Sequence, residues 1–335
     1  MQDQPTTSFR LSPQQARLWS TQDDIVASVS QGALALAGAL DADRLRAALE
    51  RVVERHEILR TTYQTPAGMR MPLQAVEDDV TFAWSVSDVP GADVDELLAR
   101  ERARELERGP GPALRAHLVR VGENEHVLAL TLPALSGDEG TFAAIAAELA
   151  ALYAGKEDAL DEEPLQYADY AEWQHELAEA DDEGATAARS EWAAQRLDEV
   201  APLELPPTAE RDATGTVRAR VELDREASAA VRGGSASAFV LAAWEALLAR
   251  LTRSEQLAVD VIVDGRDDEE LRSALGLLAK SVRVRAEIDA TSRWRHGGRP
   301  SPQPRSSSPR STPMAQSRSR CRVTPARSTR RPRRG

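Results

Sequence analysis

The stretch TLPALSGDEGTF, residues 131–142, joins an apolar run, HVLALTLPAL (126–135), to a short turn carrying Asp138 and Glu139, and a helical pattern, TFAAIAAELAALYAG, follows directly. A strand-to-turn junction of this kind is where a fold mounts catalytic groups on a rigid support. The side chains present restrict the chemistry: a Pro, an Ala and two carboxylates, with no His, Cys or Lys in the stretch. Glu139 is the group that could accept a proton, although Asp138 beside it resists sharing the space and an exposed turn Glu is otherwise simply solvated.

The remaining histidines offer little help. His126 precedes Ala134 by eight residues on the same run, about 26 Å at ~3.3 Å per residue, out of reach. His56 closes a helical pattern and reads as a packing or capping residue. His117 and His175 have no motif around them. No GxSxG, GxxxxGK[ST] or GxGxxG pattern follows a strand, so serine-hydrolase, ATPase and dinucleotide-binding readings have no positive support. The carboxylate runs DDEG (181–184) and DDEEL (267–271) read as solvated helix ends rather than metal ligands. Cys321 is the single cysteine, which excludes an internal disulfide and any metal site built on cysteine pairs.

These residues need elements to position them. SPQQARLWSTQ (12–22) opens with a Ser cap and a Pro in the first helical turn. GALALAGAL (32–40) reads as a strand, and the helix after it, capped by Asp41 or Asp43, places Leu45, Leu49, Val52, Val53 and His56 at helical spacing. RMPLQAVE and VTFAWSVSDV read as strands, VDELLARERARELER as a helix, and PALRAHLVRVGENEHVLALTLPAL as a hairpin turning at Gly122 to Asn124. Residues 162–197 are helical, and 203–215 resemble a linker. Beyond them come a strand at 217–223, a helix at 235–252, a strand at 256–265, a short helix in DEELRSALGLL and a strand at 281–288. Trp19, Trp173, Trp192 and Trp244 lie on helical patterns and are expected to anchor the core or an interface between lobes.

Composition narrows the class further. A chain of 335 residues with 41% hydrophobic and 29% charged residues is expected to be a soluble protein of about two domains. No apolar run reaches membrane-spanning length and no secretory signal opens the chain, so a cytoplasmic protein is expected. The net charge of −12 conceals two regions: residues 291–335 carry 13 Arg and no acid, leaving 29 basic against 54 acidic residues, or −25, in the rest. An acidic body argues against nucleic-acid binding through the folded part. The Arg/Ser/Pro tail is expected to be disordered. It reads either as a basic arm or, as we expect, as a frameshift product, since out-of-frame GC-rich codons yield Arg, Pro, Ser and Gly and the change inside EIDATSRW is abrupt.

LSPQQARLW, RHEILRTTY, LPALSGDEGT, YADYAEWQ and VIVDGRDDEELRSALGLLAKSVRVR, in that order and at about that spacing, resemble the condensation domains of nonribosomal peptide synthetases from residue 9 to about 288. The resemblance implies an α/β (α+β sandwich) chain with the chloramphenicol acetyltransferase-like two-lobed fold, its first lobe complete and its second partial. Residues 9–180 would form the N-terminal lobe, 181–215 a helix and inter-lobe linker, 216–290 a partial C-terminal lobe and 291–335 the tail.

The family's site is an HHxxxDG motif whose second His positions or deprotonates an attacking amine, as one carrier-bound acyl group passes to another. Here Pro133 and Ala134 occupy the two His positions, Asp138 matches the Asp, and Glu139 stands in place of the Gly. Asp138 is then expected to hold the turn by pairing with Arg60 of RHEILRT, preserving the loop's shape without its chemistry, or else to be a solvated turn residue. No intrinsic cofactor is implied. A 4'-phosphopantetheine arm would come with partner acyl or peptidyl carrier domains, alongside an adenylation domain or other synthetase modules, and no membrane partner is implied. Three functions follow: an acyltransferase forming amides with impaired catalysis, a catalytically silent module docking carriers or a tailoring enzyme, and a non-functional truncated gene product.

Overall fold

The structure is a computed structural model that describes residues 8–21, 28–79, 81–103, 113–160, 163–206, 222–232, 235–288, 294–296 and 322–323. The chain divides into two compact units. One comprises Met1–Ala180, Val263–Lys280 and Thr312–Gly335, the other Asp181–Ile262 and Ser281–Ser311. The segment Val263–Lys280 belongs to the first unit although it lies inside the expected second lobe.

In the first unit the strands are β1 (Ser8–Arg10), β2 (Val29–Ala37), β3 (Thr61–Gln64), β4 (Leu73–Val76), β5 (Ala83–Asp88), β6 (Arg115–Arg120) and β7 (Glu125–Pro133), and the helices are α1 (Pro13–Thr21), α2 (Ala42–Arg55), α3 (Val94–Ala103), α4 (Glu139–Tyr153) and α5 (Tyr167–Glu179). The second unit holds α6 (Glu183–Ala194), α7 (Arg225–Arg232), α8 (Ala236–Thr252), β8 (Gln256–Val263), which ends in the first unit, β9 (Lys280–Ile288), which starts there, and β10 (Trp294–His296). A two-residue strand, β11 (Arg322–Val323), pairs with β2. Within the Arg-rich tail, β10 and β11 are therefore strands; the rest of the tail, Cys321 and most of the expected strand at 217–223 lie outside the described residues.

The larger sheet has the order β11-β2-β7-β6-β5. β6 and β7 form the expected antiparallel hairpin, β2 pairs antiparallel with β7, and β5 runs parallel to β6. Side chains alternate along each strand, and both faces are covered. Leu118, Leu128 and Leu130 join the core that includes Leu45, Leu49, Val52 and Val53 of α2 and Phe142, Ile145 and Leu149 of α4. Val119, Val127 and Ala129 instead pack with Leu97 and Leu98 of α3. Burying each large aliphatic side chain stabilises the fold by about 1.5–3 kcal/mol, which explains why β7 reads as a continuous apolar run. On β2, Gly32 leaves room for the Phe142 ring: a Cβ there would fall 2.6 Å from ring atoms. β1, β4 and β3 form a second antiparallel sheet.

In the second unit Ser235 caps α8 through a bond from the Ala238 N–H at 3.3 Å, and Leu248 and Ala249 pack with Leu257 and Val259 of β8. The tryptophan expectation needs correction. Trp19 is partly buried, but Trp173, Trp192 and Trp244 are exposed. On α5 the buried positions are Tyr167, Ala168, Tyr170 and Ala171, so Trp173 sits beyond the edge of the packed face. On α8, Val240, Trp244, Leu247 and Leu251 form an exposed apolar stripe on the side away from Leu248 and Ala249. Among the described residues no helix is long and apolar enough to cross a membrane.

Candidate active site

The turn between β7 and α4 is held at its far end by Asp138, the N-cap of α4. Asp138 Oδ1 accepts from the Thr141 N–H at 2.9 Å, while the Thr141 hydroxyl accepts from the Asp138 N–H at 3.1 Å, a reciprocal capping box. Arg266 then grips both carboxylate oxygens, Nη2 to Oδ1 at 2.7 Å and Nη1 to Oδ2 at 3.0 Å. Oδ2 also accepts from the N–H groups of Leu278 at 2.9 Å and Ala279 at 2.8 Å. The two charged side chains are each only 4% exposed. A buried ion pair is tolerated when its remaining donors and acceptors are satisfied, and here backbone and hydroxyl groups satisfy the carboxylate.

Arg266 is further held by Asp264 Oδ1 at 2.8 Å and by the carbonyls of Ala274 and Gly276. Burial pulls its pKa down, but Asp138 and Asp264 outweigh that and hold it above the ordinary guanidinium value. Gly140 lies under this side chain, and a Cβ there would overlap the guanidinium. Thr141 extends the clasp: its hydroxyl accepts from the Gly276 N–H at 3.1 Å and lies 2.8 Å from the Gly276 carbonyl.

Arg60 is not the partner of Asp138. It ends the short 3-10 turn Glu57–Arg60 that follows α2, and its guanidinium donates to the carbonyls of Val53 at 3.3 Å and Glu77 at 2.5 Å. The open carbonyls at a helix C-terminus attract cationic side chains, and that local demand captures Arg60. Asp138 is accordingly a buried clasp residue, not a solvated one.

The near end of the turn is apolar. Ala134 and Leu135 are buried, 5% and 3% exposed, against Leu18, Trp19 and Tyr63. The Ala134 N–H donates to Ser28 O at 3.0 Å, and Pro133 O accepts from the Ser136 N–H at 2.9 Å. Below this cluster Ser136 Oγ lies 2.9 Å from Tyr63 Oη, and Gln15 Nε2 reaches Tyr63 Oη at 3.2 Å and Leu135 O at 2.9 Å. Burial pushes the Tyr63 hydroxyl well above the ordinary phenol value, so it stays neutral and supplies no base. Glu139, in the first turn of α4, is exposed.

His56, His126 and His175 lie elsewhere in the first unit. His56 caps α2 through its backbone and sets Nε2 2.7 Å from Glu148 Oε2, while Arg55 Nε reaches Glu148 Oε1 at 2.5 Å. Burial alone would raise the Glu148 pKa, but His56 and Arg55 hold it below the ordinary carboxylate value. His126 stays on β7 opposite Leu36 and Arg120, and His175 Nε2 bonds Leu11 O at 2.8 Å. A cleft of about 620 Å³ runs beside α4 past Gly140, Ala144, Ala147 and Glu148, within the usual size range of ligand sites. Among the described residues no group of three His, Cys, Asp or Glu side chains is placed to hold a metal; Asp182 of the DDEG run caps α6, accepting from the Ala185 N–H at 2.7 Å.

An α/β unit with this clasped strand-to-helix turn matches known proteins. The family profile of the condensation domain matches residues 6–296. Chondramide synthase cmdD of Chondromyces crocatus is 30% identical over 85% of this chain, and bacitracin synthase 3 of Bacillus licheniformis 29% identical over 76%. The chain spans only 8% and 4% of the lengths of those two relatives. Among solved structures, the condensation domain of Monacolin K polyketide synthase MokA aligns with a TM-score of 0.68 at 24% identity, covering 83% of this chain and 67% of that one. The X-domain from teicoplanin biosynthesis, solved in complex with OxyB, aligns with a TM-score of 0.64 at 26% identity, covering 87% and 67%. The chain belongs to the condensation-domain family, with the chloramphenicol acetyltransferase-like fold of those domains, related to the condensation domains of nonribosomal peptide synthetases.

Arg266, Gly140 and Thr141 are the site residues that sequence reasoning passed over. Arg266 stands inside VDGRDDEEL, where the acids drew attention to a carboxylate run, and the Asp-x-x-Thr spacing of a capping box was present in GDEGT.

Proposed function

We propose that the chain forms amide bonds between acyl groups carried on the 4'-phosphopantetheine arms of partner carrier domains, through positioning alone and therefore slowly. The observation that carries this reading is the intact clasp of Asp138, Arg266 and Thr141 beside a buried methyl group at residue 134. A general base contributes about 10²- to 10⁴-fold, whereas orienting two tethered reactants supplies effective molarities of about 10⁵–10⁸ M. Losing the imidazole therefore removes only part of the acceleration. Asp138 and Arg266 shape the turn; Pro133, Ala134 and Glu139 move no proton. The chain brings no cofactor of its own and works in the cytoplasm with carrier, adenylation and other synthetase modules.

The test is transfer between two loaded carrier proteins. Because Leu18, Trp19 and Tyr63 wall in Ala134, an added imidazole overpacks the site, at a cost of about 1–3 kcal/mol. Ala134→His is therefore made together with Leu18→Ala. Slow transfer by the native chain and transfer raised about 10²-fold or more in the double variant support the reading; no transfer by either rejects it. A second reading is favoured by the apolar plug at Ala134 and by the likeness to an X-domain solved with a bound protein. In it the chain docks a tailoring enzyme, and tight partner binding without transfer would establish it.

A further inference from the structure

His117 is placed unlike the other described histidines. It sits on β6, on the sheet face covered by α3, and is 9% exposed. Its Nε2 lies 2.8 Å from Ser87 Oγ on β5, and its Nδ1 lies 2.9 Å from Glu101 Oε1 on α3. Glu101 is 3% exposed, and Ser87 is half-buried. We propose that Ser87, His117 and Glu101 form a second acyl-transfer centre, a Ser–His–Glu relay whose nucleophile takes up small acyl groups from activated esters and thioesters.

The order of groups carries the inference. A carboxylate on the Nδ1 side fixes that nitrogen as the N–H donor, which leaves the Nε2 lone pair to accept the Ser87 proton. A histidine that only needs its hydrogen bonds satisfied can take any donor and acceptor. This one has a hydroxyl on one side and a buried carboxylate on the other, the arrangement that activates a serine. Among the described residues β5 ends the strand order, and access comes from that sheet edge. The N–H groups of Ala83 and Val89 donate to Leu114 O and Arg120 O. By strand alternation the N–H groups of Val86 and Asp88, on either side of Ser87, point away from β6 and are the donors available to a developing oxyanion.

In the reaction Ser87 Oγ attacks the carbonyl carbon while its proton passes to His117 Nε2. The bond from that carbon to the leaving sulfur or oxygen breaks, and His117 returns the proton to the leaving group. Water, deprotonated by His117, then attacks the acyl-serine, releasing the carboxylic acid and restoring the hydroxyl. Glu101 touches no substrate and is a positioning residue.

The full-length chain is incubated with a fluorophosphonate probe, and the adduct is located by peptide mass mapping. One adduct on Ser87 is expected, absent in Ser87→Ala and retained in Ser85→Ala. His117→Gln lowers the labelling rate by about 10²-fold or more, the usual worth of a general base. Replacing His117 removes a buried hydrogen-bond partner of Glu101 and risks unfolding, so the near-isosteric Glu101→Gln, checked for native circular dichroism, provides a second measurement. It lowers labelling at least about tenfold, and Glu101→Asp recovers part of the loss, which a purely structural role would not produce. The proposal is overturned if the folded native chain takes no label at Ser87, or if folded Glu101→Gln labels at the native rate.

Discussion

The two ends of the turn after β7 are built on opposite lines. At one end Asp138 is met by a two-pronged arginine, three backbone N–H groups and a hydroxyl, so that no charge is left unanswered. At the other end Ala134 contributes a methyl group to a small apolar cluster. The supports differ as well. Asp138 is held from the first turn of α4 and from Arg266, Leu278 and Ala279, whereas Ala134 is packed by residues of α1 and β3. The comparison teaches that the ionic clasp and the apolar packing of this turn rest on separate residues, so either can change while the other stands.

The largest test of this division is Arg266→Ala. Removing one partner of a buried pair leaves the other charge uncompensated, and a loss of about 3–5 kcal/mol is expected in urea unfolding. Arg60→Ala should cost no more than about 1–1.5 kcal/mol, the worth of ordinary hydrogen bonds to carbonyls; equal losses for the two arginines would undo the assignment of the clasp. Gly140→Ala comes next. Its new methyl must displace the Arg266 guanidinium, at about 1–3 kcal/mol, and the penalty should vanish in an Arg266→Ala background. The smallest effect belongs to Glu139→Gln. Unfolding should shift by no more than about 0.5 kcal/mol, with carrier-to-carrier transfer unaltered, and a transfer rate that falls tenfold would make Glu139 a base after all.

Much of the first unit was legible because its elements are periodic. The amphipathic spacing in α2, the Ser12 and Pro13 start of α1, and the β6–β7 hairpin all follow from local rules, and the structure adds only that Gln15 completes the α1 cap by accepting from the Ser12 N–H at 2.9 Å. That residue 134 carries a methyl group and no imidazole is a plain fact of sequence. The partner of Asp138 was not legible, because Arg266 is 128 residues away and nothing local distinguishes it from Arg60. The Ser87–His117–Glu101 arrangement was invisible for the same reason. Its members sit on two strands and a helix, and only the parallel pairing of β5 with β6 beneath α3 brings them together. The exposure of Trp244 escaped notice because an apolar helix face marks a contact without saying whether it is filled.

Gly32 carries a further consequence. The Phe142 ring, one position past Thr141, rests on the bare backbone of β2, so the height of α4 above the sheet is set by the absence of a single methyl group. Any side chain at residue 32 acts as a wedge, lifting the helix that presents Asp138 and Thr141 and pulling on Arg266 from below. A mutational survey would score Gly32 as a site residue, although it bonds to none of them and lies on the floor of the fold.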